Sequence, residues 1–482
     1  MEKKIDEFSF ILCIIIYIIG ILLQLIFSFS PELWVDEAFT LKLIERTYRE
    51  IINITAIDVH PPIYYLILKF FINGIRLIFN DISVIIISKI FSIIPYIILP
   101  IILYNKLKNN YEKNIIGLFL VSIIYILSFG VEIRMYSWAM VFVVSTYIFF
   151  HEIIYNEKIS DWIMFVISGI LAAYTHYFAG VSIICLYILL LIWGLVKNKK
   201  ILRKWIIAVI TSIILYLPWL IVFIKQVIQV KEEYWIEEIV FETIVGYIDF
   251  LFNNNNYLYY STVIISLLLI KHIIIDKNFN KKIFYLLSGL MTLIGTVIIG
   301  IVVSNMIRPV FVSRYMFPAI PCFYMGIAMA IYVLKKKYIK YLFTSILILG
   351  CIWSFNEFAN SEIELANNYN KTIKSFYNNE NAIFITDNSH VQRIMAVAIP
   401  NIEAYIYNDV TTDLSLLLYK NISSIYTIDE IKKIIDSEKK VYFVQSDYKA
   451  NFESLFYKNN IKYKYIGEYF CECNLRIYML EK

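Results

Sequence analysis

The sequence is dominated by apolar runs of about 20 residues, which recur from the N-terminus to about residue 357 and then stop. At a rise of 1.5 Å per residue, about 20 helical residues cross the roughly 30 Å hydrocarbon core of a bilayer. The chain is 60% hydrophobic and 17% charged, whereas an ordinary soluble domain is about 45–50% apolar and about 25% charged. We therefore expect an integral membrane protein that crosses the bilayer many times.

Eleven of these runs are predicted to be transmembrane helices. The first run is too long, and lacks a small-residue cleavage site, to be a removable signal peptide. The predicted spans are 9–29, 83–104, 114–131, 135–155, 161–178, 179–196, 205–224, 257–275, 283–305, 315–334 and 341–357.

Basic residues in the short connections indicate the orientation, because Lys and Arg are enriched in cytoplasmic loops. With a cytoplasmic N-terminus, the Lys- and Arg-rich connections 105–113, 197–204, 276–282 and 335–340 all lie inside. The outer connections are longer in total and poorer in Lys and Arg. The net charge of +5 is spread over these short loops and forms no basic face, so nucleic acid is not an expected partner.

The apolar segment 63–79 tests this membrane topology. Lys69 and Arg76 interrupt it on one helical face, and counting it as a span would put every later basic loop on the wrong side. We predict an amphipathic helix that lies at the outer interface, within a first outer loop at 30–82. The alternative is a short membrane span.

After residue 357 the apolar runs give way to short β-rich runs separated by helix-like stretches. This alternation predicts a small α/β domain at 358–482 with a mostly parallel sheet. An odd number of preceding spans places that domain on the outer side of the membrane. The absence of a Gly-rich phosphate loop argues against a nucleotide-binding domain. The β-rich runs are 382–386, 403–407, 424–428, 441–445, 461–469 and 475–480, and the helix-like stretches include 429–437 and 449–459.

Six cysteines are present, and four of them lie in apolar runs, where they are expected to be core residues. Cys471 and Cys473 flank one residue in a strand-like segment, so we expect their side chains to share a face. The chain has no Cys-x-x-Cys pair and no zinc spacing. A metal or redox role for this pair is the alternative to a core role.

Paired carboxylates and a proline turn stand out in the predicted first outer loop. Asp36 and Glu37 follow the first span and are suited to act as a general base or as metal ligands. The stretch DVHPPIYY presents Asp58, His60 and Tyr64 at a turn that the two prolines fix at the start of a helix. The alternatives are a solvated acidic helix start and a rigid turn with incidental polar residues.

Basic and aromatic residues recur at the later outer junctions. The stretch EIRMYS carries Glu132, Arg134 and Tyr136, and THYF carries His176. A Glu and an Arg beside a Tyr are suited to hold a phosphate or a sugar. The alternatives are an ion pair that anchors the helix ends and an interfacial aromatic anchor.

The last of these stretches, RPVFVSRYMFPAIP, carries Arg308, Arg314 and Tyr315. Two guanidinium groups at the outer start of a span can bind a phosphate in a bidentate way, although simple anchoring is the alternative. All these groups are expected on one membrane face. Carboxylates for proton transfer, arginines for a phosphate and aromatics for a sugar suit a phosphate-bearing lipid donor and a hydroxyl-bearing acceptor.

In this order, the motifs resemble the GT-C-fold glycosyltransferases that use polyprenyl-phosphate sugars, in the bacterial branch related to protein O-mannosyltransferases and the lipid A aminoarabinose transferase. The resemblance covers about residues 1–335 and leaves the C-terminal 125 residues unmatched. The matching elements are Asp36-Glu37, DVHPPIYY at 58–65, EIRMYS at 132–137, THYF at 175–178, LPW at 217–219 and RPVFVSRYMFPAIP at 308–321.

The resemblance implies a multi-pass transferase of the cell membrane, with a sugar on a polyprenyl phosphate as donor and a hydroxyl of a lipid, protein or glycan as acceptor. Asp36 matches the family's catalytic carboxylate, and Glu37 would support it. Family members differ in metal dependence, so a divalent metal is left open, with Asp36 and Glu37 as its candidate ligands. The candidates for the donor phosphate are His60, Arg134, Arg308 and Arg314.

Two other functions fit part of the pattern. A transporter would carry internal repeats, broken helices and charges near the middle of the membrane, whereas here the charges cluster at one face. A cell-surface glycan polymerase or ligase would share the lipid-linked donor but is expected to have a large outer loop late in the chain.

Overall fold

The computed structural model describes most of the chain, and the C-terminal part is described in several separate segments. The described residues are 2–108, 112–232, 236–276, 281–334, 337–377, 382–399, 402–408, 418–419, 422–437, 439–446 and 452–481. Parts of the predicted inner connections 105–113, 276–282 and 335–340, and residues 449–451 of one predicted helix, lie outside these ranges.

Up to residue 377 the described chain is helical. Short 3-10 helices at Ser128–Gly130 and Ser313–Ala319 interrupt the α-helices. The α-helices are α1 (Glu2–Phe27), α2 (Val35–Ile44), α3 (Tyr48–Ile57), α4 (Ile63–Arg76), α5 (Val84–Leu107), α6 (Lys113–Ile124), α7 (Tyr136–Asn156), α8 (Ile159–Thr175), α9 (Tyr177–Val196), α10 (Ile201–Glu232), α11 (Phe241–Phe252), α12 (Asn256–Asp276), α13 (Lys281–Met306), α14 (Ile320–Leu334) and α15 (Lys337–Tyr377).

A helix lies at each of the eleven predicted spans, and the chain is a multi-pass membrane protein. Within the described residues, eight helices are long and apolar enough to cross a bilayer: α1, α5, α7, α9, α10, α13, α14 with its preceding 3-10 turn, and α15. The shorter apolar helices α6 and α8 occupy two more predicted spans, and α12 occupies the remaining one.

Helix limits differ from the predicted spans at three places. In the predicted span 114–131, α6 ends at Ile124 and the chain continues as turns and a 3-10 helix. Residues 125–131 are apolar because almost all of them are buried within the protein. At the other two places, α10 and α15 continue well past the apolar runs at 205–224 and 341–357.

The segment 63–79 forms a helix that is too short to span a bilayer. α4 has 14 residues, so it is about 21 Å long against about 30 Å of hydrocarbon. Phe70 is 72% exposed, and Leu77 and Ile78 beyond the helix end are also exposed. Lys69 donates from Nζ to the carbonyl oxygen of Ile44 at 2.8 Å. The interfacial position of α4 stays a prediction.

The chain divides into two compact units that are each assembled from separate segments. The first comprises 1–28, 58–67 and 89–358, and the second comprises 29–57, 68–88 and 359–482. The predicted first outer loop is therefore shared between the units. Asp36 and Glu37 belong to the same unit as the C-terminal domain.

Close helix packing in the first unit depends on small residues. A Cβ added at Gly289 of α13 would lie 2.5 Å from the carbonyl oxygen of Cys322 in α14 and 2.6 Å from the backbone of Gly326. Any larger residue at Gly289 would push the two helices apart, as is usual where membrane helices approach closely.

The second unit contains a six-stranded sheet whose order is β3-β2-β1-β4-β6-β5. The β3, β2, β1 and β4 strands are parallel, and β6 and β5 are antiparallel, so the predicted mostly parallel α/β sheet is confirmed. The strands are β1 (Ala382–Thr386), β2 (Glu403–Tyr407), β3 (Ile422–Ile425), β4 (Lys440–Ser446), β5 (Lys462–Cys471) and β6 (Cys473–Glu481), and the helices are α16 (Ser389–Ala398), α17 (Ile428–Ile435) and α18 (Phe452–Lys458).

Aromatic residues fill the core beside this sheet. Phe443 of β4 and Phe456 of α18 are fully buried, and their rings meet edge to face with centroids 5.2 Å apart. Tyr478 of β6 packs on Phe456 at 6.0 Å. Such aromatic contacts add to the stability that burial of apolar area provides.

The cysteine pair lies at the hairpin between β5 and β6. Cys471 and Cys473 face each other across the turn as register partners, with Glu472 alone between the strands. Both are free and buried, as are the four cysteines in the membrane helices. The two cysteines therefore pair across two strands and do not lie on one continuous strand.

Candidate active site

His60 is the centre of a polar cluster in the first unit. The two prolines that follow it are buried and start α4, so the turn holds its ring in a fixed place. Its Nδ1 lies 2.9 Å from Oδ2 of Asp58, and its Nε2 lies 3.4 Å from Nη2 of Arg134. The turn thus links a carboxylate to a guanidinium group through the imidazole.

Arg134 is among the largest fully enclosed side chains of the described protein, and the residue is 2% exposed. It lies in the non-helical turn just before α7, between the predicted spans 114–131 and 135–155. Its Nη1 lies 3.5 Å from the hydroxyl oxygen of Tyr65. Burial in a low-dielectric surrounding strengthens the field of this permanent cation at the site.

Further basic groups face the same place. His176, between α8 and α9, is buried and lies near enough to His60, Arg134 and Arg314 to interact electrostatically with all three. Its ring meets that of Tyr315 edge to face at 4.7 Å. Five of the residues predicted to bind a phosphate or a sugar, from distant parts of the sequence, are therefore brought together.

The other predicted residues of the first unit are buried or half-buried. Tyr64 is buried and packs on the ring of Tyr65 at 5.4 Å, and Tyr136 is buried with its ring 5.8 Å from His176. Glu132 is half-buried, and its carbonyl oxygen accepts a hydrogen bond of 2.6 Å from Ser92. Arg308 is half-buried before the second 3-10 helix, and its role stays a prediction.

Gln226 was missed by the sequence analysis. This residue of α10 is 2% exposed. Its amide nitrogen donates to the carbonyl oxygen of Asp58, and its amide oxygen accepts from the hydroxyl of Tyr177. Trp219 donates to the same hydroxyl at 3.0 Å. The turn at Asp58 is thereby fixed to α10. In the sequence, the feature that could have pointed to Gln226 is a single amide residue within an apolar run.

Lys89 was also passed over. It lies in the predicted span 83–104, near the start of α5, and is 2% exposed. Ionisable residues in such runs are rare because desolvation of the charge is unfavourable. A single lysine inside an apolar run was therefore a signal that the sequence contained.

An apolar cavity of about 660 Å³ borders this polar cluster. It lies among α8, α9, α10 and α13, and it follows α10 from Trp205 to Val230, a length of about 37 Å at 1.5 Å per residue. His60, His176 and Tyr315 are among its lining residues. One end of a long apolar cavity therefore meets basic side chains.

Asp36 and Glu37 occupy the first turn of α2 in the second unit. Glu37 is 4% exposed, and its Oε2 accepts a hydrogen bond of 3.1 Å from the backbone N–H of Trp34. This contact caps the helix. Asp36 is half-buried and lies in the first turn of α2, at the positive end of the helix dipole. The two carboxylates therefore differ: Glu37 caps the helix, and Asp36 is the better candidate for chemistry.

Metal ligation has no further support among the described residues. No three His, Cys, Asp or Glu side chains in the described part of the chain are grouped so that they could hold a metal ion. A divalent metal on Asp36 and Glu37 remains a prediction.

Comparison with known proteins gives a match at the level of structure. No family model matches the chain, and no curated protein sequence matches it significantly. Two crystal structures of ArnT from Cupriavidus metallidurans match over 97% of both chains at 8% identity, with TM-scores of 0.57 for the apo state and 0.52 for the state bound to undecaprenyl phosphate. The chain has the fold of ArnT.

ArnT is a lipid A aminoarabinose transferase with a GT-C fold. The fold expected from the motifs at 1–335 is thus confirmed, and the likeness also includes the C-terminal α/β domain. At 8% identity the match to ArnT establishes the fold and leaves the reaction to be argued from the residues.

Proposed function

We propose that this protein is a membrane glycosyltransferase that transfers a sugar from a polyprenyl-phosphate donor to an acceptor hydroxyl at the outer face of the cell membrane. The observation that carries the proposal is the apolar cavity along α10, which meets His60 and His176 at one end. A long apolar chain with an anionic end group is the ligand whose shape and polarity suit such a cavity.

The lipid tail would lie along α10. The cavity follows this helix for about 37 Å, which exceeds the roughly 30 Å thickness of the hydrocarbon core. Its walls are almost entirely apolar side chains, such as Val209, Ile213 and Leu220. Undecaprenyl phosphate bound to ArnT in a crystal structure of the same fold supports this assignment.

The phosphate would be held by the basic cluster. Arg134 supplies a planar guanidinium group that can bind a phosphate through two N–H donors, and His60 and His176 lie close to it. Arg314 interacts electrostatically with His176. The positive charges of Arg134 and Arg314 favour an anion, and favour it more as the leaving group gains charge.

Asp36 would act as the general base. Its carboxylate takes the proton from the acceptor hydroxyl, the acceptor oxygen forms a bond to the anomeric carbon, and the bond from that carbon to the phosphate oxygen breaks. The polyprenyl phosphate leaves with the electron pair, stabilised by Arg134 and Arg314. A positioned base typically contributes about 10²–10⁴ in rate. Glu37 would support Asp36 by capping α2 and, if a metal is used, by ligating it.

The test is reconstitution of the purified protein in lipid with a panel of radiolabelled polyprenyl-phosphate sugars and a membrane extract as acceptor. We expect wild type to transfer one sugar and Asp36→Asn to lose the transfer, with both proteins folded. No transfer from any donor by wild type would overturn the proposal and favour a transporter. Products that grow into long chains would favour the glycan polymerase.

A binding experiment tests the donor site separately. We expect Arg134→Ala to weaken binding of polyprenyl phosphate about 10- to 100-fold, because a hydrogen bond to a charged group contributes about 1.5–3 kcal/mol. Arg203→Ala is the matched control, since Arg203 is an exposed arginine near the other end of α10. Equal loss of binding in both variants would contradict a specific phosphate site.

A further inference from the structure

The hairpin between β5 and β6 has an unusual turn residue. Glu472 is the one residue between the paired Cys471 and Cys473, and its φ is +62°. This left-handed conformation favours Gly or Asn over a Glu. A residue that breaks a local rule in this way often serves something other than the turn.

The carboxylate of Glu472 contacts the helix that carries Asp36. Its Oε2 accepts a hydrogen bond of 3.3 Å from the backbone N–H of Val35, the first residue of α2. The first N–H groups of a helix have no acceptor within the helix, so Glu472 supplies one from the C-terminal sheet. Its side chain is 26% exposed, and its Oε1 lies 3.8 Å from Nδ1 of His390.

Other contacts in the second unit hold the same region. α16 packs against α2, and Nη2 of Arg46 donates to the carbonyl oxygen of Leu418 at 3.0 Å. Behind the turn, Oγ1 of Thr372 in α15 donates to the carbonyl oxygen of Phe470 at 2.8 Å. The hairpin is thus fixed on one side by α15 while its turn residue reaches α2.

We propose that Glu472 is a positioning residue for Asp36, through which the C-terminal α/β domain fixes the first turn of α2. Glu37 caps the N–H of Trp34 from within α2, and Glu472 caps the next N–H, that of Val35, from the sheet. The backbone on the N-terminal side of Asp36 is therefore held at two successive positions. This inference rests on the proposed function, because it assumes that Asp36 is the base.

The charges around Glu472 explain why an amide can replace its carboxyl group. Burial and the carboxylates of Asp36 and Glu37 raise the pKa of Glu472 to about 7, against the opposing effects of the hydrogen bond from Val35 and of Arg393. A glutamine has the shape of a protonated glutamate and keeps the acceptor oxygen for Val35. Among the described residues, other groups that face this site include His390 and Arg393 of α16 and the thiol of Cys471.

The first test compares transfer by Glu472→Ala, Glu472→Gln and the control Glu468→Ala. Glu468 is an exposed carboxylate of β5 that pairs with Arg476. We expect Glu472→Ala to lower kcat about 10- to 100-fold, since a displacement of about 1 Å can cost 10²-fold in rate. The KM for the donor should change less than about twofold, and Glu472→Gln and Glu468→Ala should stay within about twofold of wild type.

Wild-type kcat for Glu472→Ala would overturn the proposal, as would a Glu472→Gln variant as impaired as Glu472→Ala. A second measurement does not need activity: hydrogen exchange of the amides at 35–40. We expect faster exchange in Glu472→Ala and recovery in Glu472→Gln. If wild type transfers no sugar, the proposed function fails. The exchange experiment remains a separate test: amides at 35–40 that exchange as slowly in Glu472→Ala as in wild type would refute the proposal that Glu472 fixes the first turn of α2.

Discussion

Nε2 of His60 lies 3.4 Å from Nη2 of Arg134, and Nδ1 of the same ring lies 2.9 Å from the carboxylate of Asp58. A guanidinium group can only donate hydrogen bonds. Nε2 is therefore the acceptor in this contact, and Nδ1 carries the hydrogen that is donated to Asp58. The carboxylate of Asp58 thus fixes both the tautomer and the orientation of the ring beside Arg134.

The first prediction concerns this tautomer. Asp58→Ala removes the acceptor for Nδ1–H, which frees the ring to turn or to change tautomer beside Arg134. We expect binding of polyprenyl phosphate to weaken about tenfold, consistent with about 1.5–3 kcal/mol for a hydrogen bond to a charged group. Asp58→Asn keeps an acceptor oxygen and should bind within about threefold of wild type.

The measurement is the dissociation constant for radiolabelled polyprenyl phosphate in detergent. Asp81→Ala is the matched control, because Asp81 is an exposed carboxylate of the predicted first outer loop. Binding by Asp58→Ala that is as tight as that of wild type would show that the tautomer does not matter.

The second prediction separates the two adjacent carboxylates. Asp36→Asn should lower the rate of transfer about 10²–10⁴-fold, the usual contribution of a general base. Glu37→Gln keeps an oxygen that can accept from the N–H of Trp34, so its rate should fall less than about tenfold. The comparison uses initial rates at saturating donor. A larger loss in Glu37→Gln than in Asp36→Asn would reverse the two roles.

The third prediction tests the apolar cavity. Val209 lines it in the first third of α10, so Val209→Trp should fill the space that a long tail occupies. We expect the KM for a long-chain donor to rise about tenfold and the KM for a short-chain donor to change little. Ile207→Trp is the control, because Ile207 is 56% exposed on the same helix and does not line the cavity. Equal effects on both chain lengths would place the tail elsewhere.

The fourth prediction concerns pH and stability. Burial and neighbouring carboxylates raise the pKa of Glu472 from its usual 4.5 to about 7. Between those values the folded protein holds a proton that the unfolded chain has lost. Its stability should therefore fall as the pH rises from about 4.5 to about 7, by about 2 kcal/mol once solvent screening is allowed for.

Thermal unfolding of wild type and Glu472→Gln at about pH 5 and about pH 8 measures this effect. We expect wild type to lose more stability than the variant between the two values. Identical losses in both proteins would mean that Glu472 has an ordinary pKa.

Much of the fold follows from sequence periodicity, and the departures have physical causes. The six strands were predicted because short β-rich runs alternate with helix-like stretches. The end of α6 at Ile124 was not predicted, because residues 125–131 are as apolar as a membrane span but are buried within the protein. The extension of α15 to Tyr377 was missed because hydropathy falls after residue 357 while the backbone stays helical.

The candidate site was only partly predictable. His60, Arg134, His176 and Arg314 were identified because ionisable and aromatic residues are conspicuous at the ends of apolar runs. Gln226 was overlooked because an uncharged amide in such a run resembles an ordinary interfacial residue. Glu472 was overlooked because it lies between two cysteines in a segment that resembled continuous strand, without the Gly or Asn that usually marks a turn.

The cavity along α10 has a consequence for turnover under the proposed function. Donor and spent polyprenyl phosphate carry the same tail, so contacts with that tail hold substrate and product alike. Such uniform binding does not speed the chemical step. The spent lipid should compete with fresh donor, and the relevant concentration is the mole fraction of each in the bilayer. The supply and removal of lipid carrier would then govern the steady-state rate.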